Sequence, residues 1–239
     1  MSDVPQSHPR YESLRIRNAI VSGVERGVTS PHGLIAHGRG EAYDYLLGEK
    51  THDFARAAID AAARTMTQAR HPVISVNGNV AALVAGDLVA LGERVGAPLE
   101  VNIFHASKQR EESIRTFLEE HGARDVLMPS TQAELDYIDS NRKYVHPDGI
   151  YRADVIFVPL EDGDRCQALR RMGKTVITVD LNPMSRTART ASITIVDNVV
   201  RTLPLLVARL EGALPPSPPE FDNAACLAAA ERAIRGSGD

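Results

Sequence analysis

The chain reads as an α/β protein, and three features of its pattern predict this. After Pro72 it turns into six short, mostly apolar, β-branched runs, at residues 73–76, 99–104, 125–128, 154–158, 175–179 and 192–196. Helical patterns separate them, near residues 87–95, 108–120, 165–172 and 199–210. The runs are mostly apolar rather than alternating, as strands are when helices cover both faces of a parallel sheet. The architecture drawn from these features is a Rossmann-like, wound, mainly parallel sheet at residues 72–212, with an N-terminal helical segment at 1–71 packed on it.

Within the first segment, Leu14, Ala19, Ile20 and Val24 recur at roughly helical spacing, so residues 11–26 form an opening helix. Residues 29–40 hold Pro31, Gly33, Gly38 and Gly40 and read as a connector. A short helix is expected at residues 41–47, ended by Gly48 in a left-handed cap. The alanine-rich stretch 53–69 has the strongest helix propensity in the chain. Residues 129–149 are long and polar, the profile of a lid or of an excursion facing a partner subunit. From 213 to 239 a Pro-Pro-Ser-Pro-Pro linker leads into an alanine-rich terminal helix.

The 239 residues are 43% hydrophobic and 24% charged, enough for one compact domain with an appendage. A formal net charge of -4 lacks the basic field that non-specific nucleic-acid binding needs, so no nucleic-acid partner is expected. Cys166 and Cys226 are too few and too far apart for a disulfide framework or a metal knot, which points to a reducing compartment. The start lacks a signal-peptide layout and no apolar run reaches spanning length. Together these predict a cytoplasmic protein with no membrane partner.

In an open α/β sheet, ligands bind beyond the carboxyl ends of the strands. Three polar segments fall there. Asn77-Gly78-Asn79 forms a tight turn into a helix, a candidate substrate and phosphate site. It is neither G-x-G-x-x-G nor a P-loop, and neither motif occurs elsewhere in the chain. Glu161-Asp162-Gly163-Asp164 offers carboxylates to magnesium or to solvent. The run from Asp180 through Leu181, Asn182, Arg186 and Thr187 to Arg189 combines an acid, an amide, hydroxyls and cations. That mix suits ribose and phosphate, and equally suits a well-bonded turn. Asn198 sits where an N-cap belongs. Arg39 stands between two glycines, with Arg15 and Arg17 on the opening helix as further cations. His37, His105 and His146 lie near glycines or strand ends, without metal-ligand spacing.

Four runs, RYESLRIRNAIVSGVERGVTSPHGLIAHGRGEAYDYLLGEKT, PVISVNGNVAALV, GIYRADVIFVPLEDGDR and GKTVITVDLNPMSRTARTASITIVDNVVR, closely resemble the archaeal-type 4-phosphopantoate–β-alanine ligase (phosphopantothenate synthetase) family. The resemblance extends from Arg10 to about Leu210 and is weakest at residues 107–141. It implies a homodimeric ligase of coenzyme A biosynthesis that joins 4-phosphopantoate to β-alanine and converts ATP to AMP and pyrophosphate. Carried over residue by residue, it implies ATP contacts at Arg17, Arg39, Asp180, Leu181, Asn182, Arg186, Thr187, Asn198 and Val199. Arg17, Arg39 and Arg186, with Mg2+, are the expected catalytic charge stabilisers.

Overall fold

A computed structural model describes residues 5–104, 107–212 and 221–236. Six parallel strands form one sheet: β1 (Pro72–Val76), β2 (Leu99–Val101), β3 (Val126–Leu127), β4 (Val155–Phe157), β5 (Thr175–Val179) and β6 (Ile193–Ile195). Their order is β3-β2-β1-β4-β5-β6. The chain winds one way from β1 to β3 and the other way from β4 to β6, so the topological switch lies between β1 and β4, where a crevice opens at the strands' carboxyl ends. Register ties that junction directly, with Pro72 opposite Val155 and Ile74 opposite Phe157.

Nine α-helices are described: α1 (Tyr11–Glu25), α2 (Pro31–Leu46), α3 (Asp53–Gln68), α4 (Gly78–Val95), α5 (Lys108–Glu120), α6 (Gly163–Arg171), α7 (Arg186–Thr190), α8 (Val199–Glu211) and α9 (Asn223–Gly236). Both faces of the sheet are covered, as the mostly apolar runs predict. In β4, Val155 and Phe157 join the core under α3, α4 and α8, while Ile156 and Val158 join a second core with Cys166 and Leu169 of α6. The period-two alternation of a strand thus feeds two cores from one apolar run.

Several expectations about elements are corrected. Residues 31–40 are not a connector but the first half of α2. Pro31 occupies the first helical turn, where its missing N–H costs nothing, and packing against α1 and α4 overrides the glycines. The helix expected at 87–95 begins at Gly78, and β2 ends at Val101 rather than extending to 104. The turn after β5 holds the short helix α7, whose N-cap Ser185 accepts from Ala188 N.

The 129–149 excursion is anchored rather than loose. Ala133, Leu135, Ile138 and Val145 are buried in the second core, and Glu100 of β2 accepts from His146 N at 2.8 Å and Ile150 N at 2.6 Å. The C-terminal helix α9 packs on α3, α7 and β6, with Cys226, Leu227 and Ala230 buried. The proline-rich linker before it, and His105, lie outside the described residues.

Candidate active site

A cavity of about 370 Å³ opens at the switch point. Its floor is the first turn of α4 after β1. Leu160 and Asp162 follow β4, Leu181 follows β5, Asn198 and Val199 follow β6, and α2 roofs it with Gly33, His37 and Arg39. Arg110 of α5 and Arg142 of the excursion add cations to the wall.

Each side of this cavity is set by local chemistry. Asn77 caps α4 by accepting from Val80 N at 3.2 Å, and its amide donates to the Pro159 and Leu160 carbonyls, stapling the ends of β1 and β4 together. Asn79 accepts from the Thr29 hydroxyl at 2.5 Å and donates to Gly33 O at 2.9 Å, which locks α2 over α4. The close approach needs two glycines. A Cβ on Gly33 would lie 2.2 Å from Asn79 Oδ1, and one on Gly78 would lie 2.3 Å from Val28 O. Both asparagine side chains are therefore engaged in building the turn. What the turn presents to a ligand is the first-turn backbone N–H groups of α4, which have no intrahelical acceptors and favour an anion.

Arg142, missed by sequence reasoning, is buried at 4% exposure. Its guanidinium meets Asp162 at 2.7 Å, Glu161 at 2.5 Å and Asn102 Oδ1 at 2.9 Å. Glu161 is also paired with fully buried Arg165, which reaches Ser75 as well. Two arginines thus engage Glu161 completely, and it is no metal ligand, contrary to the carboxylate cluster considered above. Its burial requires such pairing, because an unpaired ion there would lose its hydration without return. Nothing in the motif around Arg142 distinguishes it; only the length of the excursion singles that segment out.

The structure divides the other expected site residues. Arg39, Asn77, Gly78, Asn79, Leu181, Asn198 and Val199 all line the cavity. Asp180, Asn182 and Thr187 instead build its rim. Asp180 accepts from Asn182 N at 2.9 Å and from the Ser185 hydroxyl, Asn182 accepts from Met184 N, and buried Thr187 donates to Glu161 O at 2.8 Å. Burial pushes the Asp180 carboxyl above its ordinary range, with those two hydrogen bonds working against it. Arg186 is exposed and 3.9 Å from Asp164.

Arg17 does not line the cavity. It binds Glu41 through Nε at 3.1 Å and Nη2 at 2.8 Å, and Tyr45 at 3.2 Å, which raises its pKa chiefly through the Glu41 hydrogen bond. Arg39, by contrast, makes no ion pair among the described residues and is the cation with most freedom to meet a ligand. Asn198 both caps α8, accepting from Val200 N at 3.2 Å, and donates to Asp44 at 2.8 Å. Asp44 also pairs with Arg201, tying α2 to α8. His146 accepts from Asp148 N and stays in the excursion.

The site's chemistry is therefore that of a polyanion pocket: a helix N-terminus, cations on three elements and a rim of short turns. The family model described as phosphopantothenate/pantothenate synthetase matches residues 54–236. Among curated relatives, a protein of Methanosarcina mazei named 4-phosphopantoate–beta-alanine ligase is 52% identical over 203 residues, spanning 85% of this chain and 80% of that protein. Proteins of the same name from Thermococcus kodakarensis and Thermococcus onnurineus are 50% and 49% identical, over 87% and 85% of this chain and 80% and 78% of their own lengths. At that identity and coverage, the chain belongs to the phosphopantothenate/pantothenate synthetase family.

Proposed function

We propose that this chain is an ATP-dependent carbon–nitrogen ligase of coenzyme A biosynthesis that condenses 4-phosphopantoate with β-alanine to 4'-phosphopantothenate, releasing AMP and pyrophosphate. The observation that carries the reading is one cavity at the switch point that joins the α4 N-terminus to Arg39, Arg110 and Arg142. Two phosphorylated substrates need such a site, and a neutral acid would not. The relatives' names supply the substrate identities.

A carboxylate resists attack by an amine because its leaving group would be oxide. Transfer of AMP from ATP to the phosphopantoate carboxylate gives an acyl adenylate, from which AMP leaves instead. Catalysis of that transfer is positioning and charge absorption. Arg39 faces the cavity as a free cation, whereas Arg17 and Arg186, outside its lining, would meet the outer phosphates only by leaving Glu41 and Asp164. Leu181, Asn198 and Val199 bound the nucleotide pocket, while Asp180, Asn182 and Thr187 act through the turn they build. The substrate's own phosphate is placed at the first turn of α4, on the N–H groups of Gly78 and Asn79. Among the described residues no three His, Cys, Asp or Glu side chains are grouped to hold a metal. Asp162, the carboxylate on the cavity wall, would hold magnesium, which would offset charge on the phosphoryl oxygens.

The exposed Ile35 and Leu46 of α2 support an assembly of two subunits. No helix among the described residues is long and apolar enough to cross a membrane, which is in keeping with the cytoplasm as the site of action. The deciding assay incubates purified protein with ATP, magnesium, β-alanine and either 4-phosphopantoate or pantoate. Phosphopantothenate and AMP should appear by mass spectrometry only with the phosphorylated acid. Product from pantoate at equal rate would show that the α4 turn holds no substrate phosphate, and ADP in place of AMP would exclude the adenylate.

A further inference from the structure

The inner stripe of α2 runs Gly33, His37, Glu41, Asp44, one residue per turn. Its ends are fixed: Gly33 abuts Asn79 at the α4 turn, and Asp44 holds Asn198 at the head of α8. His37 lies between them. Its imidazole borders the main cavity and also a second one of about 320 Å³ lined by Arg15, Glu41, Asp44 and Arg201. Nε2 of His37 is shielded from solvent and has no hydrogen-bond partner. A buried polar atom left unsatisfied in a native protein marks a place where a water, a ligand or a reacting group completes the bonding.

We propose that His37 is the base that takes the amine proton when β-alanine attacks the activated acyl group. This rests on the adenylate reading above. With the substrate phosphate at the α4 turn and the nucleotide against Leu181 and Asn198, the acyl carbon falls between the two, on the stretch of wall that His37 occupies. β-Alanine arrives as an ammonium with three N–H bonds, and the amide keeps one. One proton passes to bulk water as the amine binds neutral. As the C–N bond forms and the C–O bond to AMP breaks, AMP leaves with the electron pair and the second proton passes to the imidazole. His37 is in the form that this step requires: burial holds its pKa below the ordinary histidine value, and Arg17 adds to the effect while Glu41 and Asp44 oppose it. Arg15 and Arg201 border the second cavity, Arg201 being neutralised by Asp44 and Asp197.

The test separates the two half-reactions in His37→Gln and His37→Ala. Phosphopantoate-dependent exchange of pyrophosphate into ATP reports adenylate formation alone and should stay within about threefold of wild type, whereas amide formation with β-alanine should fall about a hundredfold. Hydroxylamine, already uncharged at neutral pH, should trap the adenylate as well in the variants as in wild type. The variants should also regain rate as pH rises, because hydroxide and free amine take over. Equal loss of exchange and of amide formation would make His37 a positioning residue of the nucleotide site and overturn the proposal, as would unchanged amide formation. Absence of exchange in the wild-type protein would instead overturn the adenylate reading, and the step with it. Should both variants fail to fold, the wild-type pH profile decides. The rate of coupling to β-alanine, divided by the fraction of free amine, should still fall in acid as the imidazole takes up a proton, and a corrected rate that stays level would exclude the base.

Discussion

At the scale of single residues, the difference between Arg39 and Arg17 is one of occupation. Arg17 is already satisfied by Glu41 and Tyr45, so removing it leaves a mostly buried carboxylate without its counter-ion, held only by the Ser13 and Tyr45 hydroxyls, and loosens α1 from α2. Arg39 has no such duty, and its loss leaves nothing unpaired among the described residues. Arg39→Ala should therefore lower kcat/KM by about 10²–10³, the usual worth of one charge-stabilising group, while the melting temperature stays at the wild-type value. Arg17→Ala should lower both. Steady-state kinetics beside thermal melts distinguish them, and an Arg39→Ala enzyme at near wild-type rate would remove Arg39 from the chemistry. Both arginines are legible in the sequence as cations near glycines or on the first helix. Their unequal freedom is not, because it depends on Glu41 lying one helix away from Arg17.

At the scale of elements, the roof of the site depends on how α2 docks on α4. Asn79 supplies two side-chain bonds to that joint, to Thr29 and Gly33 O. Asn79→Ala leaves the hydroxyl of buried Thr29 and a carbonyl without their partner and should cost about 1–3 kcal/mol by urea unfolding. It should also raise KM for the phosphorylated acid more than it lowers kcat, since the α4 turn holds the phosphate in the ground state and the transition state alike. A variant with unchanged stability would mean that the joint relies on the apolar contacts alone. Here the sequence is informative about one partner and silent about the other. Asn77-Gly78-Asn79 stands out as a strand-to-helix turn, whereas Thr29 to Gly40 reads as a connector, since four helix-disfavouring residues outweigh local propensity. The helix forms because the glycines let α2 lie against α4, a tertiary gain that no local window contains. Arg142 escaped for the same reason, its role being set by Glu161 and Asp162 across a chain reversal.

At the scale of the whole molecule, the six-strand winding was readable because each apolar run feeds two cores and so carries a strong signal, and the position of the crevice follows from the strand order alone. Beside the buried apolar residues of the excursion and the pairing of Arg142, one buried carboxylate ties that segment to the sheet. Glu100 has no exposure, and burial pushes its pKa from 4.5 to about 7, against the pull of the Ile150 and His146 N–H groups and of Arg165 and Lys174. The folded state therefore holds the proton more tightly than the unfolded chain does. The stabilisation that follows is fully present below about pH 4.5 and is lost as the pH rises through about 7. At about 1.4 kcal/mol for each tenfold change in proton affinity, the span is on the order of 3 kcal/mol. Glu100→Gln removes the titrating group and should flatten the wild-type decline in unfolding free energy across that window, even though one of the two backbone N–H groups then faces an amide and the variant starts from lower stability. Denaturant titrations of both proteins at several pH values give the two slopes directly. Parallel slopes would mean that Glu100 is already ionised in the folded protein, and that the charge of Arg165 and Lys174, rather than a shared proton, secures the excursion.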